Sequence, residues 1–312
     1  MIRYVALRLL SALPILFGVS ALVFFLLNVV PGDPIAIMQK DFIDPDALER
    51  VRREMHLDDP PLVRYGRFVA GMVQGDLGYS YKLRRPVVGV IATAFPNTLK
   101  LASCAALAAW LIGIAAGLVS AVKPGSLADN ALMGFALAGV SMPTFWAALV
   151  LQYIFGVVLG LLPVAGFESW RHMLLPVAVL GWGESGTVAR LTRSSLLEIM
   201  RHDYIRTARS KGLSERLVLR AHALKNALLP VVTIMAIQIS TLLSGSIVTE
   251  SVFGIPGIGR LAISAINNRD MPLLQGTVMF GTLIVILGNV VADLLYATLD
   301  PRIKYGKDAV RS

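Results

Sequence analysis

Five stretches of this chain run for 22 or more residues without a charged side chain: 9–30, 101–122, 130–167, 226–249 and 271–292. A hydrocarbon layer is crossed by about 20 apolar residues in a helix. Inside it, every backbone N–H and C=O must be satisfied within the spanning segment itself. Runs of this length therefore commit the chain to a bundle of membrane helices. The mean hydropathy of +0.68 agrees. A sixth helix is predicted from 173 to about 195. It carries Glu184, with Arg190 and Arg193 placed to snorkel toward the nearer water interface.

The order of the runs sets the expected organisation. The first is too long for a secretory signal and lacks a small-x-small site after it, so it reads as a retained helix over 1–30. Pro31-Gly32-Asp33-Pro34 ends it. Residues 31–97 form a polar segment of nine basic and nine acidic residues, with short helices predicted at 46–55 and 62–74 and a turn over 75–80. A membrane core over 98–299 follows. The 130–167 run is too long for one span. It reads as a helix near 131–159, kinked at Ser141-Met142-Pro143, with an exit through 161–166. The fifth helix covers 226–249 and Glu250 closes it. Residues 252–260, VFGIPGIGR, must then turn sharply, with Asn267, Arg269 and Asp270 as a polar rim. Residues 300–312 form a basic tail. The sum is an all-α membrane protein of six transmembrane helices with both termini cytoplasmic.

The polar stretch 201–225, RHDYIRTARSKGLSERLVLRAHALK, sits between two apolar runs. From 186 to 226 there are nine Lys or Arg against Glu198, Asp203 and Glu215, a bias that marks the cytoplasmic side. Tyr204, Ile205, Ala208, Leu213, Leu217 and Leu219 recur at roughly helical spacing. Gly212 breaks the run, and Ser214 is placed to cap a second helix with Glu215 in its first turn. The pattern predicts two short amphipathic helices hinged at a glycine. Such an element can lie on anionic head groups or dock a cytoplasmic partner.

The net charge of +9 raises nucleic acid as a partner. The excess is confined to this loop and the two ends, which is topological bias, so no nucleic acid is expected. The single cysteine, Cys104, excludes an intrachain disulfide and a cysteine metal site. There is no phosphate-cradling G-x-x-x-x-G-K-[S/T], no His-Glu-x-x-His helix and no G-x-S-x-G elbow, so no catalytic or metal residue is assigned. The spans hold few ionisable groups, chiefly Glu184 and Asp293. An ion-coupled carrier usually pairs such groups at mid-membrane, so a secondary carrier is the weaker alternative.

Arg206-Thr207-Ala208, followed three residues later by Gly212, resembles the coupling loop of the membrane subunits of bacterial ABC importers. DYIRTARSKG followed by HALKNALLPVVT resembles the dipeptide/oligopeptide (peptide/nickel) branch, and PGDP, GDLGYS and the Pro-Gly-x-Gly-Arg segment at 256–260 fit it. Arg206 stands where the general motif has Glu, and Lys225 where it has Pro; both departures narrow the match to the peptide branch. The resemblance implies a first-permease (B-type) subunit of the type I ABC importer permease fold in the bacterial inner membrane. It implies that Asp203, Tyr204, Ile205, Arg206, Thr207, Ala208, Arg209, Lys211 and Gly212 couple to an ATPase. It implies as partners a paralogous second permease, two ATPase subunits that bind the ATP and Mg, and an extracytoplasmic solute-binding protein near 31–97. No cofactor is implied for this chain. Glu184, Phe253, Pro256 and Arg260 are the candidate pathway or gate residues. The implied cargo is small peptides, with glutathione, nickel chelates or opines as alternatives.

Overall fold

The computed structural model describes residues 2–29, 49, 52–53 and 58–299. The PGDP turn, all but three positions of the expected helix at 46–55, and the tail 300–312 lie outside the described residues. Almost everything described is helical. The helices are α1 (Ile2–Val29), α2 (Pro61–Val73), α3 (Val87–Val122), α4 (Leu127–Ser141), α5 (Thr144–Val158), α6 (Trp170–Ile199), α7 (Asp203–Ser210), α8 (Glu215–Ala227), α9 (Leu229–Leu243), α10 (Ile247–Val252), α11 (Ile258–Asn267) and α12 (Met271–Leu299). Two-residue strands, β1 (Tyr79–Ser80) and β2 (Arg85–Pro86), pair antiparallel just before α3. The helix expected over 62–74 is found as α2; the chain turns after it at Gln74-Gly75 and runs on through 76–78 into β1, so the expected turn over 75–80 precedes the β1–β2 hairpin and overlaps only its first strand.

Several boundaries differ from the sequence reading, each for a local reason. Helix α3 begins at Val87, fourteen positions before the uncharged run at 101, and Pro96 lies inside it. Val87, Val90, Ile91 and Ala94 are buried, so apolar burial carries the helix through the proline. The third span is not one kinked helix: α4 and α5 meet at 108° across Met142-Pro143. Proline has no N–H and its ring crowds the preceding turn, which ends α4 there. The last two turns of α5, Gln152–Val158, are wound as a π-helix. The fifth span stops at Leu243, and α10 begins anew at Ile247. Between them Gly245 sits at φ +113°, a backbone conformation open to glycine. Glu250 therefore lies inside a separate short helix and does not end the fifth span.

The chain divides into two compact units. The first comprises Met1–Leu99 and Leu243–Ile286. Its core joins Val87, Val90, Ile91 and Ala94 of α3 to Ile258, Ala265 and Leu273. Helix α2 lies on α1 through Tyr65, whose hydroxyl is 2.9 Å from Ser20 Oγ and whose ring meets Phe24 at 5.4 Å.

The second unit comprises Lys100–Leu242 and Leu287–Ser312. Small residues every fourth position let α3 and α6 approach closely. A Cβ on Gly113 would stand 2.6 Å from Val188 Cβ, and one on Gly117 would stand 2.6 Å from the Ala189 carbonyl. Ala105 and Ala109 continue that stripe on α3, and Gly181, Ser185 and Ala189 answer it on α6. Close backbone approach over small residues is how helices associate where lipid supplies no hydrophobic drive.

Candidate functional site: an anchored basic helix and a clasped loop

The polar stretch folds as α7, a tight turn and α8. Ile205 and Ala208 of α7 are buried and pack with Ala121, Leu196, Val218, Ala223 and Ala227 in one apolar cluster. The rest of α7 faces out: Asp203, Tyr204, Arg206, Thr207 and Arg209 are exposed, as are Lys211 and Gly212 beyond it. Two apolar anchors thus hold the helix while its polar face stays exposed, with Arg206 3.6 Å from the Asp203 carboxylate on that face. Gly212 turns the chain at φ +79° with no atom within 4 Å of where a Cβ would be, so backbone conformation selects glycine there. Arg209 reaches across that turn to Glu215, Nε to Oε1 2.6 Å, and Asn226 Nδ2 donates to the Tyr204 hydroxyl at 3.0 Å.

The stripe read from sequence is corrected in part. Tyr204 and Leu217 are 41% and 48% exposed, and Val218 is the buried residue of α8 at that point. Ser214 begins α8 through its carbonyl, which accepts from Leu217 and Val218, and its side chain makes no cap bond. The second amphipathic helix is also not free-standing. It passes through a π-helical stretch at Val218–Ala223 and bends by 49° into the fifth span.

Of the candidate pathway residues, Glu184 lies in the second unit and the other three in the first. Glu184 is half-buried midway along α6, and its carbonyl accepts from Gln238 Nε2 at 2.9 Å. Gln238 Oε1 in turn accepts from Trp110 Nε1 at 3.2 Å. Nearby, Trp182 stacks on Phe135 at 5.2 Å and donates to its carbonyl at 2.9 Å. Toward the end of α6, Arg193 does not snorkel. It grips the buried Asp129 carboxylate with two bonds of 2.8 and 2.7 Å. A cavity of about 400 Å³ opens beside this pair, lined by Asn130, Met133, Leu137 and the exposed Arg190.

Phe253 is among the most buried side chains. Pro256 is exposed, and its carbonyl accepts from Asn97 Nδ2 at 2.9 Å. The Arg260 guanidinium donates to the Gly254 carbonyl.

Sequence reasoning missed the residue that organises this loop. Glu250 is fully buried. Its carboxylate accepts from Thr98 Oγ1 at 2.8 Å and from the Arg260 N–H at 3.0 Å, with a further bond from the Gly259 N–H. Thr98 Oγ1 accepts the Ile258 N–H at 2.8 Å. The first three N–H groups of α11, which have no partner within their own helix, are thereby satisfied by side chains from two other helices. Burial pushes the Glu250 carboxyl above the ordinary carboxylate range, and the donors from Arg260, Thr98 and Gly259 pull it back. A Cβ on Gly257 would stand 2.5 Å from the Glu250 carboxyl group. The glycines of GIPGIG thus make room for a carboxylate, and the signal available in sequence was one acid a few residues before a Gly-x-Gly.

These features describe a polytopic membrane protein with an anchored helix whose polar face is exposed. Comparison with known proteins agrees. The family described as "binding-protein-dependent transport system inner membrane component" matches residues 113–305, and its N-terminal companion matches 1–102. The "glutathione transport system permease protein GsiC" of Escherichia coli O6:H1 is 42% identical over 305 residues, covering 98% of this chain and all of that one. The protein of the same name from strain K12 is 41% identical with the same coverage. Among solved structures, the inward-facing MetNI methionine ABC transporter aligns with a TM-score of 0.58 at 19% identity, covering 68% of this chain and 96% of that one. An amino acid ABC transporter solved with histidines aligns at 0.52 and 17%, covering 69% and 94%. The chain belongs to the binding-protein-dependent transport system inner membrane component family. It is a permease subunit of an ABC importer, a multi-pass protein of the bacterial inner membrane, with the type I importer permease fold. It is a transport subunit and not an enzyme; the ATPase is a separate subunit.

Proposed function

We propose that this subunit forms half of a translocation pathway for small peptides, glutathione among them, and that α7 is the lever through which an ATPase subunit drives it. The observation that carries the second part is the division of α7 into two buried anchors, Ile205 and Ala208, and an exposed basic face. A push on that face is transmitted through α6 and α8, between which α7 sits in the chain. Asp203, Tyr204, Arg206, Thr207, Arg209, Lys211 and Gly212 make the contact. ATP and Mg are held by two ATPase subunits, a paralogous second permease supplies the other half of the path, and a solute-binding protein delivers cargo from outside.

Six spans with both termini inside are part of this reading. Among the described residues, three helices are long and apolar enough to cross a membrane alone, and up to five spans result when each bent pair is counted as one. Helix α6, at 30 residues, supplies the sixth, and it carries more charged side chains than the others, among them Arg171, Glu184, Arg190 and Arg193. In this reading the segment from 31 to the start of α3 faces outward, with 1–30 before it, and 300–312 faces the cytoplasm.

The cargo is proposed from the peptide-branch motifs and from the printed function of the 41–42% identical relatives. The test is uptake by the complete complex in liposomes with its binding protein and ATP inside, comparing labelled glutathione, dipeptides, nickel chelates and an opine. Uptake that survives ATP removal and collapses with a protonophore would instead identify an ion-coupled carrier.

A further inference from the structure

Ser80 and Asp270 are separated by 190 positions and joined in the fold: Ser80 Oγ donates to the Asp270 carboxylate. Both are buried, at 0% and 4% exposure. The Leu83 N–H donates back to Ser80 Oγ at 3.1 Å, and Asp270 accepts the Leu273 N–H at 3.2 Å. Gly78 closes against Pro272, where a Cβ would stand 3.5 Å from Pro272 Cβ. The β1–β2 hairpin and the α11–α12 turn are therefore fixed to each other within the first unit.

That tie carries an exposed cationic surface. Lys82, Arg84 and Arg85 on the hairpin and Arg269 on the turn are exposed, and the acid between the two segments, Asp270, is buried. From 77 to 97 there is no acidic residue, although 31–97 as a whole is neutral. Arg84 and Arg269 stand at φ +52° and +50°, the two non-glycine residues with positive φ among those described. Such conformations are strained and persist where the surroundings enforce them. Tyr79 and Tyr81 pack edge to face at 5.3 Å beside the cations, and Tyr79 is 40% exposed.

We propose that this surface docks an acidic face of the solute-binding protein. The inference rests on the importer reading above and adds the place of contact and its sign. Arginine and tyrosine are the side chains that carry most energy at protein interfaces, and a fixed cluster of one sign steers a complementary partner. Topology does not account for these charges, because Lys and Arg are favoured on the cytoplasmic side of a membrane protein. A lipid surface fits less well. Leu83 is the single large apolar side chain over 82–86, and an interfacial segment needs an apolar face to insert.

The test uses the complete complex in nanodiscs and its solute-binding protein, labelled and followed by stopped-flow. The variant carries Lys82→Gln, Arg84→Asn, Arg85→Gln and Arg269→Asn; asparagine tolerates the left-handed backbone at 84 and 269. Recovery of the assembled complex at wild-type yield checks folding. The expected result is association slowed about tenfold or more at about 50 mM salt, with the difference gone at about 0.5 M. Equal association rates and equal salt slopes overturn the proposal. A difference that appears only in nanodiscs containing phosphatidylglycerol also overturns it, in favour of lipid docking. No association by the wild-type complex overturns the importer reading itself, and this surface with it.

Discussion

Thr98 Oγ1 lies 2.8 Å from Glu250 Oε1 and, on its other side, 2.8 Å from the Ile258 N–H. One hydroxyl therefore bridges a buried acid and the start of α11, and serine can replace it where valine cannot. Thr98→Val leaves the Ile258 N–H unpaired and removes one donor from Glu250. The expected loss is about 1–3 kcal/mol, the cost of orphaning a buried polar group. Thr98→Ser should stay near wild type. Thermal unfolding of the detergent-solubilised protein, followed by size-exclusion fluorescence, measures both; equal melting of Thr98→Val and wild type would refute the bridge.

Burial raises the carboxyls of Glu250 and Asp270, both outside the long apolar spans. A raised folded-state pKa means that the folded protein holds the proton more tightly than the unfolded chain. Stability is then greatest below the ordinary carboxylate range and falls as pH rises through the raised values. This is the reverse of a salt-bridged aspartate. Melting temperature measured from about pH 4 to about pH 8 should decline more steeply in wild type than in Glu250→Gln/Asp270→Asn. A wild-type profile that rises with pH, with the double variant unchanged, would remove these two groups as its cause.

The two faces of α7 should separate by experiment. Ile205→Ala opens a cavity in the anchor and should cost about 2–5 kcal/mol, lowering the yield of folded subunit. Arg206→Glu on the exposed face should leave the folding stability within about 0.5 kcal/mol of wild type. It should, however, reduce the ATPase that co-purifies with the tagged subunit. Full co-purification with Arg206→Glu would argue that this face meets lipid.

Gly212 tests whether the joint between α7 and α8 transmits force. Alanine at φ +79° should cost about 1–2 kcal/mol and leave some transport. Proline requires a negative φ and so re-aims α8. Gly212→Pro is expected to abolish ATP-dependent uptake while the subunit still reaches the membrane. Uptake retained in Gly212→Pro would mean that α7 is a scaffold and not a lever.

The close approach of α3 and α6 makes a steric prediction. Gly117→Leu has no space, because even a Cβ would stand 2.6 Å from the Ala189 carbonyl. Overpacking of this kind costs about 1–3 kcal/mol or more. Gly134, with nothing within 4 Å of a Cβ, should accept leucine with little change in melting temperature. Similar melting of the two variants would count against the small-residue seam.

Apolar runs, charge placement and the 201–225 motif were legible from sequence because each rests on local pattern. Lipid forces apolar residues into continuous runs, and amphipathic spacing marks short surface helices, so the apolar spans and the paired helices of the 201–225 stretch could be read without knowing any contact. Glycine at 212 was legible for the same reason: its task is a backbone angle. What sequence did not reveal depends on residues far apart in the chain. Nothing local marks Glu250 as the cap of α11, since its partner Thr98 lies 152 positions away. Nothing local pairs Arg193 with Asp129, 64 positions apart, or sets Ser80 on Asp270. Those bonds exist because desolvating a polar group is costly unless a partner meets it, and only the packed helices decide which partner is within reach.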